Sequence, residues 1–103
     1  MNLSIINPAT GEEITKIETD NQLSISHKYE DLKTGQKNWA AVSLEKRIEI
    51  IQLFEQLLKK NETNLASILT SEVGKPLQQS INEINGGISR INWLCHDRGN
   101  CLR

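Results

Sequence analysis

The feature that most constrains this chain is a row of apolar residues near its C-terminus. Leu77, Ile81, Ile84, Ile88, Ile91 and Cys95 recur at alternating steps of four and three. That spacing places them on one long, narrow stripe of a helix, the pattern of a helix packed along a partner. Gly86-Gly87 interrupts the stripe, at up to ~2 kcal/mol against two alanines. The pair is read as the close approach of a neighbouring backbone rather than as a hinge.

Three further helices precede it. From about Asn21, residues Ile25, Tyr29, Leu32, Gln36 and Trp39 keep helical spacing, with Gly35 a weak point worth ~1 kcal/mol. Ser43 suits an N-cap with Glu45 in the first turn. Leu44, Ile48, Ile51, Phe54 and Leu58 then form a stripe, widened by Ile50, Leu53 and Leu57, and Lys59-Lys60 end the helix with the charge its dipole prefers. Asn61 is expected to cap a third helix carrying Leu65, Ile68, Leu69 and Val73, and Gly74 followed by Pro76 stops it.

The N-terminus has a different period. Residues 4–6 are a short apolar run, Asn7-Pro8-Ala9-Thr10-Gly11 carries turn chemistry, and Ile14-Thr15-Lys16-Ile17 is β-tolerant. This predicts a hairpin with a loop of about four residues, which is marginal alone and needs a surface to lie on. The fold class is therefore mostly α with an N-terminal β-hairpin: hairpin at about 4–18, helices at about 22–97, and a tail at 98–103.

Composition bounds the function. With 103 residues there is room for one small domain. Aromatic residues make up 4%, so the core is thin, and some apolar surface is expected to face a neighbour. A net charge of −1 without a basic stripe argues against nucleic acid as a partner. No apolar run approaches the ~20 residues that span a bilayer, so no membrane partner is expected. Met1-Asn2-Leu3-Ser4 does not read as a secretory signal. A cytoplasmic protein is expected, with Cys95 and Cys101 as free thiols.

The search for chemistry returns little. Cys95-His96 could suggest a thiolate–imidazole couple, but adjacent helical residues point about 100° apart. Cys95, His96, Asp97 and Cys101 have no recognised metal-ligand spacing. Neither of the glycine-rich phosphate motifs occurs, and Gly74-Lys75 lacks the loop such a site needs. The carboxylates Glu30, Asp31, Glu45, Glu49, Glu72 and Glu83 read mostly as solvated helix faces. Glu72 and Lys75, flanking a helix end, read as structural.

In order, the segments resemble one family. Ile6-Asn7-Pro8-Ala9-Thr10-Gly11-Glu12 is similar to the opening hairpin of the aldehyde dehydrogenase superfamily. The helix ending near Trp39, residues 43–47 and the long helix through Phe54-Glu55-Gln56-Leu57-Leu58 follow the same order. Leu69-Thr70-Ser71-Glu72-Val73-Gly74-Lys75-Pro76-Leu77 resembles the family's Glu-x-Gly-Lys-Pro stretch, continued by Glu83 and Ile91-Asn92-Trp93. The flavour is that of the succinate-semialdehyde and lactaldehyde dehydrogenase branches.

The resemblance implies the N-terminal portion of an α/β cofactor-binding domain from an oxidoreductase that converts aldehydes to carboxylic acids with NAD or NADP. In that chemistry a cysteine attacks the aldehyde, hydride passes to the cofactor, and a glutamate base assists hydrolysis of the thioester. In the family those groups lie far downstream of this region, so no catalytic or cofactor-binding residue is assigned here and no cofactor is expected for this chain alone. Some relatives hold a structural monovalent cation between the opening hairpin and an acidic residue of the last helix. By position Ile5, Ile6 and Glu83 correspond, against a plain surface role for Glu83. The departure is Arg98-Gly99-Asn100-Cys101-Leu102-Arg103, which breaks the stripe and reads as the tail of a truncated chain.

The expected function is that of a truncated aldehyde dehydrogenase, inactive alone. Expected partners are a second copy or full-length dehydrogenase subunits, engaged through the last helix. The alternatives are a small helical module docking on a dehydrogenase subunit through Ile81, Ile84, Ile88 and Ile91, or one part of a split enzyme.

Overall fold

The computed structural model describes residues 1–97. Two strands, β1 (Asn2–Ile6) and β2 (Glu13–Glu18), are followed by four helices: α1 (Gln22–Ala40), α2 (Leu44–Lys60), α3 (Glu62–Val73) and α4 (Leu77–His96). The mostly helical architecture with an N-terminal hairpin is the one the periodicities predict.

The strands pair antiparallel, Asn2 opposite Glu18 and Ile5 opposite Thr15, with an irregularity between Ile5 and Ile6. The loop runs over residues 7–12, longer than expected, because Asn7 organises it early. Its side-chain oxygen accepts from the Ala9 amide and its carbonyl accepts from Gly11 N–H. Gly11 takes the left-handed φ of 75° that closes the turn. At the open end, Thr19 donates to the Met1 carbonyl through both its amide and its hydroxyl.

The core lies among α2, α3 and α4. Ala66 and Ser80 are fully enclosed, and Ile88 and Cys95 nearly so. Thus α4 does pack its stripe along partners, and the partners are α2 and α3 of the same chain. Ser80 on this face shares a 2.7 Å hydroxyl–hydroxyl hydrogen bond with Thr70 of α3, so the one polar residue sealed there is satisfied.

Three local expectations are corrected. Added at Gly86 or Gly87, a Cβ would meet nothing within 4 Å, so among the described residues no other segment's backbone approaches the pair. Asn61 occupies the N-cap position of α3 without a side-chain capping bond; its amide instead donates to the Leu57 carbonyl and closes α2. A single residue lies between the two helices, and the orphan carbonyl of α2 takes the side chain. Helix α2 is rotated from the expected stripe: Ile48, Gln52, Glu55 and Leu58 turn inward, while Phe54, Leu53 and Leu57 are more than half exposed. A helix apolar on more than one side does not specify its own inward face.

Helix α1 is formed by local chemistry. The Asn21 side chain accepts from the Leu23 and Ser24 amides while Ser24 reaches back to the Asn21 amide. The Asp20 carboxyl is held below its usual value chiefly by a hydrogen bond from Lys28, and further by Ser24. None of the helix's 19 residues is buried. The radius of gyration is accordingly 18.0 Å, against about 13 Å for a compact domain of ~100 residues.

Candidate functional site

Two polar junctions join the elements. The first is the corner between α3 and α4. Gly74 ends α3 at φ 80°, donating its amide to the Thr70 carbonyl. A Cβ there would lie 2.7 Å from Cγ of Pro8, so the hairpin loop rests directly on this glycine. Lys75 follows and pairs with Glu83 one and a half turns into α4. The Gly-Lys-Pro sequence thus ends one helix, seats the hairpin and supplies a cation to the next helix.

This is also where Glu83, one of the three cation-site candidates, is found. Its carboxylate is exposed and engaged by Lys75, while Ile5 and Ile6 sit in the irregular part of β1. A monovalent cation at Glu83 would have to share that carboxylate with the lysine, so the donor set fits such an ion poorly.

The second junction, which sequence reasoning missed, joins α2 to α4. Glu55 is only 6% exposed. One of its oxygens, Oε1, accepts from Asn92 Nδ2 at 2.6 Å and lies 2.5 Å from Lys59 Nζ. The Lys59 hydrogen bond holds the carboxyl below its ordinary value; burial opposes this, and Asn92 and the His96 charge add to the lowering. The available signal was the spacing of Glu55 with Ile48 and Gln52, which the neighbouring Phe54 obscured.

Nothing in these junctions resembles a reaction centre. Cys95 is buried while His96 is exposed, and no group of three or more His, Cys, Asp or Glu among the described residues could hold a metal. Cys101 and the tail lie outside the described residues. Among the described residues, β2 leads into α1 through Thr19-Asp20-Asn21, which has no glycine and carries an acid where a pyrophosphate needs donors. No helix among the described residues is long and apolar enough to cross a membrane.

What the molecule does display is apolar surface. Leu23, Ile25, Tyr29 and Leu32 on α1 are exposed, as are Leu53, Phe54 and Leu57 on α2. On α4, Ile88 is buried, while Ile81, Ile84 and Ile91 are half-buried and keep part of their surface exposed.

Comparison with known proteins accounts for these features. Residues 1–100 match the model of the aldehyde dehydrogenase family. The 3-sulfolactaldehyde dehydrogenase of Pseudomonas putida is 29% identical over 91% of this chain and 19% of its own length. The NADP-dependent glyceraldehyde-3-phosphate dehydrogenase of Arabidopsis thaliana is 32% identical over 94% of the chain and 19% of its length. A malonate-semialdehyde dehydrogenase of Shouchella clausii is 29% identical over 86% and 18% respectively. The chain therefore spans about a fifth of the length of the curated relatives it matches. It belongs to the aldehyde dehydrogenase family and corresponds to that family's N-terminal region.

Proposed function

We propose that this chain is one structural part of an NAD(P)-dependent aldehyde dehydrogenase, building the edge of the cofactor domain and performing no turnover alone. The observation that carries this reading is the apolar surface left on α1 and on the outward side of α2, in a chain spanning about a fifth of its relatives. Large apolar side chains left exposed along a helix in this way are what an interface covers. The α2–α4 and α3–α4 junctions fix the shape of the part, and the cysteine, glutamate and cofactor contacts of the reaction belong to the remaining length of such an enzyme.

Purified chain incubated with short aldehydes and NAD+ or NADP+ should give no reduced nicotinamide above the blank; turnover would overturn the reading. The free chain should also self-associate, or lose the helicity of α1 separately from the packed trio of α2, α3 and α4. A sharp two-state melt of a strict monomer would count against the proposal.

A further inference from the structure

At the corner where α1 meets α2, Arg47 lies in a groove of about 400 Å³ with Trp39, Leu44, Ile48, Ile51 and Leu94 around it. Its Nε is buried and has no hydrogen-bond partner among the described residues. Two of the three carboxylates of its own helix are committed elsewhere, Glu49 to Lys46 and Glu55 to Lys59 and Asn92. Arg47 also sits at the N-terminal end of α2, where the helix dipole disfavours a cation. Arg47 is half-buried, and because a polar atom withdrawn from water without a partner is costly, an anion of good geometry against its guanidinium would be stabilised. A planar fork of donors matches a carboxylate in particular.

We infer that the groove receives a segment carrying an Asp or Glu flanked by apolar side chains, supplied by the remaining length of a dehydrogenase subunit, with its carboxylate accepting from Arg47. Charge complementarity selects the acid, and the lining of Trp39, Ile51 and Leu94 selects its neighbours. The relatives' additional length is the source. This rests on the reading of the chain as one part of a dehydrogenase body.

The test mixes the full chain with a second polypeptide: a family member lacking the stretch that matches residues 1–100. Binding is followed by titration calorimetry, and burial of the groove by Trp39 fluorescence in a Trp93→Phe background. The wild-type chain should bind with a blue shift of Trp39. R47Q should weaken binding about 30-fold or more, as expected for removing one partner of a buried charged pair, and R47K should fall between because it keeps the charge and loses the fork. Circular dichroism of each variant shows whether the helices remain, and R47K carries the comparison if R47Q unfolds. Equal binding by wild type, R47Q and R47K overturns the Arg47 pairing while leaving the proposed function standing. No binding by wild type overturns both. A wild-type dimer that R47Q dissociates would assign the groove to a second copy and overturn the occupant named here.

Discussion

Helices α1 and α4 have nearly the same length, 19 and 20 residues, and each carries an apolar row in its sequence, yet only α4 buries one. The row of α4 is matched by α2 and α3, which are joined to it by short connections and so reach it without a long loop closure. The row of α1 is buried against nothing among the described residues. The contrast separates two sources of helix formation: α4 is held by tertiary packing, while α1 is held by its cap, its Asp20–Lys28 contact and its own backbone. Most helical stability in proteins comes from tertiary packing, and α1 buries no residue, so α1 should be far more labile than the trio.

The largest effect that tests this contrast is Ile88→Ala against Leu32→Ala. Ile88 is 6% exposed in the centre of the trio, and its truncation should cost about 2–5 kcal/mol, enough to remove cooperative melting from a core this small. Leu32 is exposed on α1, and its truncation should change stability by less than about 0.5 kcal/mol. Chemical denaturation followed by far-UV circular dichroism measures both. Similar losses at the two positions would mean that α1 is packed in solution.

A smaller effect comes from the glycines that carry the hairpin. Gly74→Ala meets both a left-handed backbone and the ring of Pro8, whereas Gly11→Ala meets the backbone alone. Each should lose about 1–2 kcal/mol of local stability from the backbone. Only Gly74→Ala should also lift the hairpin from the α3–α4 corner. Amide exchange of the Ile5 and Thr15 region reads this: faster exchange in Gly74→Ala than in Gly11→Ala is expected, and equal rates would deny the Pro8 contact a holding role.

These contrasts also explain what could be read from the sequence. Elements whose ends carry strong local chemistry were legible, such as Ser43 opening α2, Gly74 closing α3 and Gly11 closing the hairpin loop, because capping and left-handed backbone act over a few residues. The stripe of α4 was legible because it is narrow. The inward face of α2 was not, since Phe54 and Leu57 compete with Glu55 for it and the Asn92 that Glu55 meets lies 37 residues away in the sequence. Arg47 was missed for a related reason: an arginine in a first helical turn reads as solvated until the surrounding groove is visible.

Within the trio, Glu55 gives a pH signature. Its carboxyl is lowered in the fold from an ordinary value of 4.5, so the folded state holds the proton less readily than the unfolded one. The stability it contributes is present above that ordinary value and is lost as pH falls through the lowered folded value. The groups facing it are Lys59 on its own helix and Asn92 and His96 on α4. Melting of the trio should therefore weaken with acidification below 4.5, and Glu55→Gln should flatten part of that dependence. Asp20 titrates with the same sign but in α1, so it should move α1 helicity and leave the trio's transition unchanged. An unaltered acid limb in Glu55→Gln would remove the junction from the account.

The smallest effect on the trio, and the sharpest on the contrast, is Asn21→Ala. It deletes the side chain that accepts from the Leu23 and Ser24 amides, which should cost α1 about 1 kcal/mol. Because no residue of α1 is buried, fraying there has no packed neighbour through which to spread. Exchange protection of the α1 amides should fall several-fold while the denaturation midpoint of the trio stays fixed. Once a partner covers Leu23, Ile25 and Leu32, the same substitution should begin to lower the stability of the whole assembly, since the helix is then coupled to a core. A midpoint that shifts with α1 in the free chain would show the coupling already in place, and the division between a packed trio and an unpartnered helix would have to be abandoned.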